Sequence, residues 1–266
     1  MLLARYAPVG SPRYERLSEK VKSFDKLVKW IPAQLFAIWS IFVAGMAAGK
    51  AQTDRYYFWD WSDWLIGIVG LLVITASYYP LKKQFKIKEF DEIKLSKNTV
   101  TSTYYYIICL LLFIIGWLTA ETINMHDFIF VLMPYLSFFL CIIFIYTIEP
   151  DKSNIMDSKT KYIHTIIAIF ALIFCIYSGY MNDDPVIATA SIVSLPFLIV
   201  LLFGKHVRHL ERAKFYPIFA FAIFVVAREA WFLIPLIILF FILRSYNYLR
   251  YQKVFPTFGV TTETDD

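Results

Sequence analysis

Along the chain, long apolar blocks alternate with short charged connections, and none of the blocks shows the every-second-residue pattern of a barrel strand. Eight such blocks can be read: Ile31 to Gly49, Trp64 to Tyr79, Tyr104 to Ala120, Phe128 to Tyr146, Tyr162 to Tyr180, Val186 to Phe203, Phe215 to Val226, and Trp231 to Leu243. Lipid leaves no water to satisfy backbone polar groups, so blocks of this kind predict transmembrane helices. The last two blocks share one apolar run that Arg228-Glu229 interrupts. A single helix between Lys214 and Arg244 would be about 44 Å long, against a hydrocarbon core of roughly 30 Å. Two short, tilted spans are therefore expected there. The predicted fold is all-α and polytopic, with about eight transmembrane helices and both termini cytoplasmic. An amphipathic amino-terminal segment (1–30), a helical membrane domain (31–246) and a cytoplasmic tail (247–266) complete the expected organisation.

Charge sharpens this picture. Of 26 Lys and Arg residues, all but Lys50, Arg55 and Arg228 fall in segments 1–30, 81–103, 148–161, 204–214 and 244–266. The remaining connections carry Asp54, Asp60, Asp63, Glu121, Asp127, Asp183, Asp184 and Glu229 instead. Such segregation is the positive-inside pattern, and points to a bacterial cytoplasmic (inner) membrane. It also accounts for the formal net charge of +5 without a nucleic-acid partner. The first 30 residues are basic and have no small-residue cleavage pattern behind them, so a cleavable secretion signal is not expected.

Composition agrees, at 59% hydrophobic and only 18% charged. Trp59, Trp61, Trp64, Trp117 and Trp231 fall at one predicted boundary, where indole rings anchor in headgroups. Cys109, Cys141 and Cys175 lie inside apolar runs and read as small core hydrophobes. Pro134, Pro196 and Pro235 predict kinks, while Gly45, Gly49, Gly67 and Gly70 predict close approach between helices. Between Ser11-Pro12 and Pro32, Leu17, Val21, Phe24, Leu27, Val28 and Ile31 recur at helical spacing among lysines. That stripe is expected in the headgroup layer, its lysines meeting anionic lipid, or docked on neighbouring loops. No Asp, Glu, Lys or Arg stands near the middle of the first six blocks, which disfavours a charge-coupled transporter.

Candidate chemistry lies in two basic connections. One, LKKQFKIKEFDEI, contains Lys83 and Asp91; the other, GKHVRHLER, contains Lys205, His206, Arg208, His209, Glu211 and Arg212. A basic surface beside a lipid-accessible groove suits a phosphate or diphosphate head whose apolar tail lies between helices. These eight residues are the expected substrate-binding set. No catalytic residue is assigned, and His206 and His209 with Glu211 are too few ligands for a transition-metal site.

In layout these features resemble the UbiA superfamily of membrane prenyltransferases: a basic amphipathic amino-terminal helix, then spans with long connections after the second and sixth. Aligned on Phe90-Asp91, Asp91 matches the superfamily's first Asp-rich motif, while Lys83, Gln84 and Ile87 occupy its upstream polar positions. The resemblance implies an all-helical fold over roughly residues 15–250 and an isoprenoid or quinone-like ligand. It further implies Mg²⁺ held by carboxylates, if the reaction is retained. Three functional expectations follow: a UbiA-like lipid-binding protein with a divergent transferase activity, a non-catalytic subunit of a respiratory or photosynthetic membrane complex, and a neutral-solute or lipid transporter. Membrane lipids are expected partners in every case, and other membrane subunits in the second.

Overall fold

The structure, a computed structural model, describes residues 2–23, 34–52, 56, 58–84, 99–119, 127–148, 158–204 and 206–252. They form ten α-helices: α1 (Leu2–Tyr6), α2 (Pro12–Ser23), α3 (Gln34–Ala51), α4 (Trp64–Gln84), α5 (Thr99–Trp117), α6 (Phe128–Tyr146), α7 (Ser158–Met181), α8 (Pro185–Phe203), α9 (Val207–Arg228) and α10 (Leu233–Tyr251). A 3₁₀ turn, Ala230–Phe232, joins the last two.

The expectation of eight crossings is overturned. Four described segments are long and apolar enough to span a bilayer: Phe128–Tyr146, Lys159–Met181, Pro185–Phe203 and Ala230–Arg250. Leu35–Ala51, Trp64–Tyr78 and Thr103–Trp117 are apolar but have 17 residues or fewer. Each is the apolar stretch of a longer helix, α3, α4 or α5. Helix α9 is long enough, but its first two turns read VRHLERAK. The protein is thus an all-α, polytopic integral membrane protein, with about four long apolar spans among the described residues.

Sequence explains where helices start and stop. At α8, Asp184 is the N-cap, its carboxylate accepting from the Val186 N–H at 3.2 Å, and Pro185 follows at a position that needs no N–H donor. Pro134 and Pro196 stand inside α6 and α8, whereas Pro235 falls in the first turn of α10, where its missing donor costs little. The run from Phe215 to Leu243 is broken where expected, at Arg228-Glu229, by the 3₁₀ turn.

Helices α6, α7, α8 and α9 pack as consecutive neighbours, and α9 closes onto α3, which pairs with α5. Helix α3 is apolar on every face because it is enclosed: Leu35, Phe36, Phe42, Val43, Ala44, Met46 and Ala48 are all buried. Its pairing with α5 is a reciprocal glycine contact, in which Gly45 lies against the Phe113 carbonyl and Gly116 against the Phe42 carbonyl. Helix α4 leans on this body through small surfaces, Gly67 under the Trp231 indole and Gly70 under the Phe42 ring. Trp39 also donates to Thr75 Oγ1 at 3.0 Å. Its outer face, including Leu65, Ile66, Val69, Leu72 and Val73, is exposed as a lipid-facing helix requires.

Several polar residues within the spans are satisfied internally. Ser137 donates to the Ala171 carbonyl, Ser194 to the Ala190 carbonyl, and Ser191 bonds Cys175 Sγ at 2.9 Å. All three cysteines are free thiols; Cys141 and Cys175 are buried and Cys109 is half-buried.

Candidate functional site

Two polar regions occupy opposite ends of the helix bundle. At one end, the loop before α4 is drawn onto the break between α9 and α10. The Asp60 N–H donates to the Arg228 carbonyl at 2.9 Å and the Ala230 N–H donates to the Asp60 carbonyl at 3.0 Å, a short parallel bridge. Side chains then converge on the ammonium of Lys50, at the end of α3. It pairs with Asp60, with Asp63 at 2.7 Å and with Glu229 Oε1 at 3.1 Å. Trp231 Nε1 donates to the other Glu229 oxygen at 2.7 Å, and Ser62 gives Asp60 two further hydrogen bonds. Arg228, also buried, lies over the Phe58 ring at 5.5 Å. Nearby, Tyr135 on α6 donates to Asp184 at 2.8 Å, tying α6 to the start of α8.

Asp60 and Glu229 are shifted in opposite directions. Burial pushes Asp60 up, but hydrogen bonds from Lys50 and Ser62 outweigh it and hold its carboxyl below the ordinary range. Burial pushes Glu229 up, and the opposing pull of Lys50 and Trp231 does not fully offset it. Stability contributed by Asp60 is therefore present above its unfolded pKa and lost as pH falls through its lowered folded value. That of Glu229 is present below its unfolded pKa and lost as pH rises through its raised folded value. Melting temperatures of the solubilised protein are expected to fall below about pH 4. Asp60→Asn should flatten that acid limb, and Glu229→Gln should remove the decline that sets in as pH rises above the ordinary glutamate value. An acid limb unchanged in Asp60→Asn would remove Asp60 as its source.

At the opposite end lie the second connection and the start of α9. His206 is the N-cap of α9, its Nδ1 accepting from the Arg208 N–H at 3.1 Å. His209 points elsewhere and rests on Gly204, where an added Cβ would come within 2.7 Å of its Cγ. Arg208 and Arg212 are exposed and Glu211 is half-buried. Lys161, in the first turn of α7, is buried and donates to the Gly204 carbonyl at 2.6 Å, holding the α8–α9 connection in place. Lys205 and Asp91 lie outside the described residues; Lys83 falls in the last turn of α4, and its side chain lies outside them too.

Between α3, α5, α6 and α9 is an apolar cavity of about 80 Å³, whose walls include Ile41, Tyr105, Cys109, Phe138, Ile142 and Phe221. Tyr105, Cys109, Ile142 and Ile143 are half-buried, so it opens sideways between α5 and α6. Of the expected substrate-binding residues whose side chains are described, His206, Arg208, His209, Glu211 and Arg212, none lines it. Beyond its wall, on α9 itself and not in the connection that its charge suggests, is the buried Lys214. Its ammonium lies 5.3 Å from the ring centre of Tyr146, a wall residue, and it stands one turn from Ile218 on the same face of α9. Tyr146 also donates to the Lys214 carbonyl at 3.3 Å.

This donor set does not fit Mg²⁺. The ion requires several oxygen ligands, and the described part of the second connection offers one carboxylate, Glu211, set between Arg208 and Arg212. Among the described residues, no three His, Cys, Asp or Glu side chains are grouped to hold a metal. The chain matches no protein-family model, no curated protein and no solved structure.

Proposed function

We propose that this protein binds a membrane lipid with a long apolar tail, isoprenoid in type, in the bacterial cytoplasmic membrane. The tail enters the cavity between α5 and α6, and an anionic head lies toward Lys214 and the exposed Arg208 and Arg212. One observation carries the reading: a wholly apolar cavity opens to the lipid side within a turn of a buried cation on α9. An apolar tail gains by leaving neither water nor unfilled space against Phe138 and Phe221, and a phosphate gains a charge-assisted contact. The resemblance to membrane prenyltransferases supports the same class of ligand. Binding is what the donor set supports; Mg²⁺-assisted transfer is not.

The test is photolabelling of the full chain in mild detergent with a polyprenyl phosphate that carries a diazirine at its chain end. Label is expected on Tyr105, Cys109 and Ile142, and is expected to drop at least tenfold in Cys109→Trp, which fills the cavity. Label spread evenly over the outward faces of α4 and α7 would discard the reading. Extraction as a stable particle with other proteins and no bound polyprenyl lipid would favour the subunit reading instead.

A further inference from the structure

Helices α1 and α2 form a small hairpin whose place on the protein suggests a second, separate ligand. Gly10, at φ +81°, reverses the chain, and Ser11 caps α2 by accepting from the Tyr14 N–H at 3.2 Å. The hairpin is fastened to the last turn of α10. Tyr14 donates to the Leu249 carbonyl at 3.1 Å, and Tyr248 donates back to the Ala7 carbonyl at 2.7 Å. The two tyrosine rings meet edge to face at 5.6 Å, with Leu3, Leu17 and Val21 packed around them. Since Ala230–Arg250 is one of the long apolar spans, this fastening holds the hairpin at the depth where that span leaves the hydrocarbon.

The face turned away from α10 is cationic. Arg13, Arg16 and Lys20 are exposed and spaced three and four residues apart, so they share one side of α2. With Tyr6 and Leu17 they line an open bowl of about 580 Å³, which also contains Glu19. Arg13 stacks 5.0 Å from the Tyr6 ring centre. Among the described residues, no carboxylate forms an ion pair with any of the three cations. We infer that this bowl holds the headgroup of an anionic phospholipid, with phosphate against Arg13, Arg16 and Lys20 and the start of the acyl chains along Tyr6 and Leu17. A phospholipid is favoured over a soluble anion because the bowl joins cations to an aromatic and an aliphatic side chain at the end of a membrane span. The inference is independent of the cavity between α5 and α6.

The experiment uses the full chain, delipidated in an uncharged detergent and titrated with phosphatidylglycerol or phosphatidylcholine, with bound lipid counted by native mass spectrometry. Phosphatidylglycerol should be retained selectively and released by salt. Replacing Arg13, Arg16 or Lys20 by Gln should weaken retention about fivefold each, and the triple variant on the order of a hundredfold. Lys22→Gln, exposed but outside the bowl, should bind as the parent does. Equal retention of the two lipids would overturn the proposal, as would displacement by millimolar inorganic phosphate, which would mark a free-anion site. Unchanged binding by the triple variant at an unchanged melting temperature would also overturn it. The single variants, all at exposed positions, decide the matter if the triple variant does not fold.

Discussion

Lys50→Met is expected to destabilise the solubilised protein by about 3–5 kcal/mol, because it leaves buried carboxylates without their counter-charge. The side chains of Asp60 and Glu229 are 4% and 0% exposed, so water cannot take over the role of the ammonium. Methionine keeps the length of the aliphatic stem and removes only the charge. On the usual scaling, the melting temperature should fall by on the order of 10 °C. The loss is not confined to one ion pair, since Lys50 joins the end of α3 to the loop before α4 and to the α9–α10 break. Adding Glu229→Gln to Lys50→Met should restore part of the stability, because it removes the most deeply buried unpaired charge. A Lys50→Met variant that melts within about 1 °C of the parent would show that the cluster holds little of the fold together.

How this cluster escaped the sequence reading shows what one sequence carries. Asp60, Asp63 and Glu229 were legible as acidic residues of connections on one side, and Lys50 as an exception to the charge pattern. That exception was the available signal: a lone lysine on an otherwise acidic side needs a carboxylate partner if it is to be buried. Nothing in the sequence pairs Lys50 with Glu229, which follows 179 residues later. Periodicity and hydropathy specify helices, and the break at Arg228-Glu229 is visible as two charges inside an apolar run. The crossing count was not, because apolar length alone does not separate a bilayer span from a helix such as α3 that is enclosed by its neighbours. The tryptophans divide for the same reason. Trp59, Trp61 and Trp64 are exposed as boundary anchors should be, while Trp117 and Trp231 are buried. At the candidate site, composition located the basic residues of the α8–α9 connection, but the residue beside the cavity, Lys214, depends on which face α9 turns inward.

That dependence on close helix packing is strongest between α3 and α5, where Gly116→Ala and Gly45→Ala should each cost about 3 kcal/mol or more. A Cβ on Gly116 would overlap the Phe42 carbonyl oxygen and lie 2.9 Å from its carbon and 3.2 Å from the Met46 nitrogen. One on Gly45 would overlap the Phe113 carbonyl oxygen and lie 2.8 Å from the Trp117 nitrogen. Every one of these neighbours is backbone, so no rotamer change relieves the clash and the two helices must separate. Alanine has the better intrinsic helix propensity, by roughly 1 kcal/mol, and an isolated helix would gain from either change. The sign of the measured effect therefore tells the two influences apart. Separation of α3 from α5 would also widen the cavity wall that carries Tyr105 and Cys109, so apolar maleimide should label Cys109 faster in both variants. A Gly116→Ala protein that melts at or above the parent temperature, with Cys109 labelled at the parent rate, would mean that the α3–α5 crossing is looser than its reciprocal glycine contact requires.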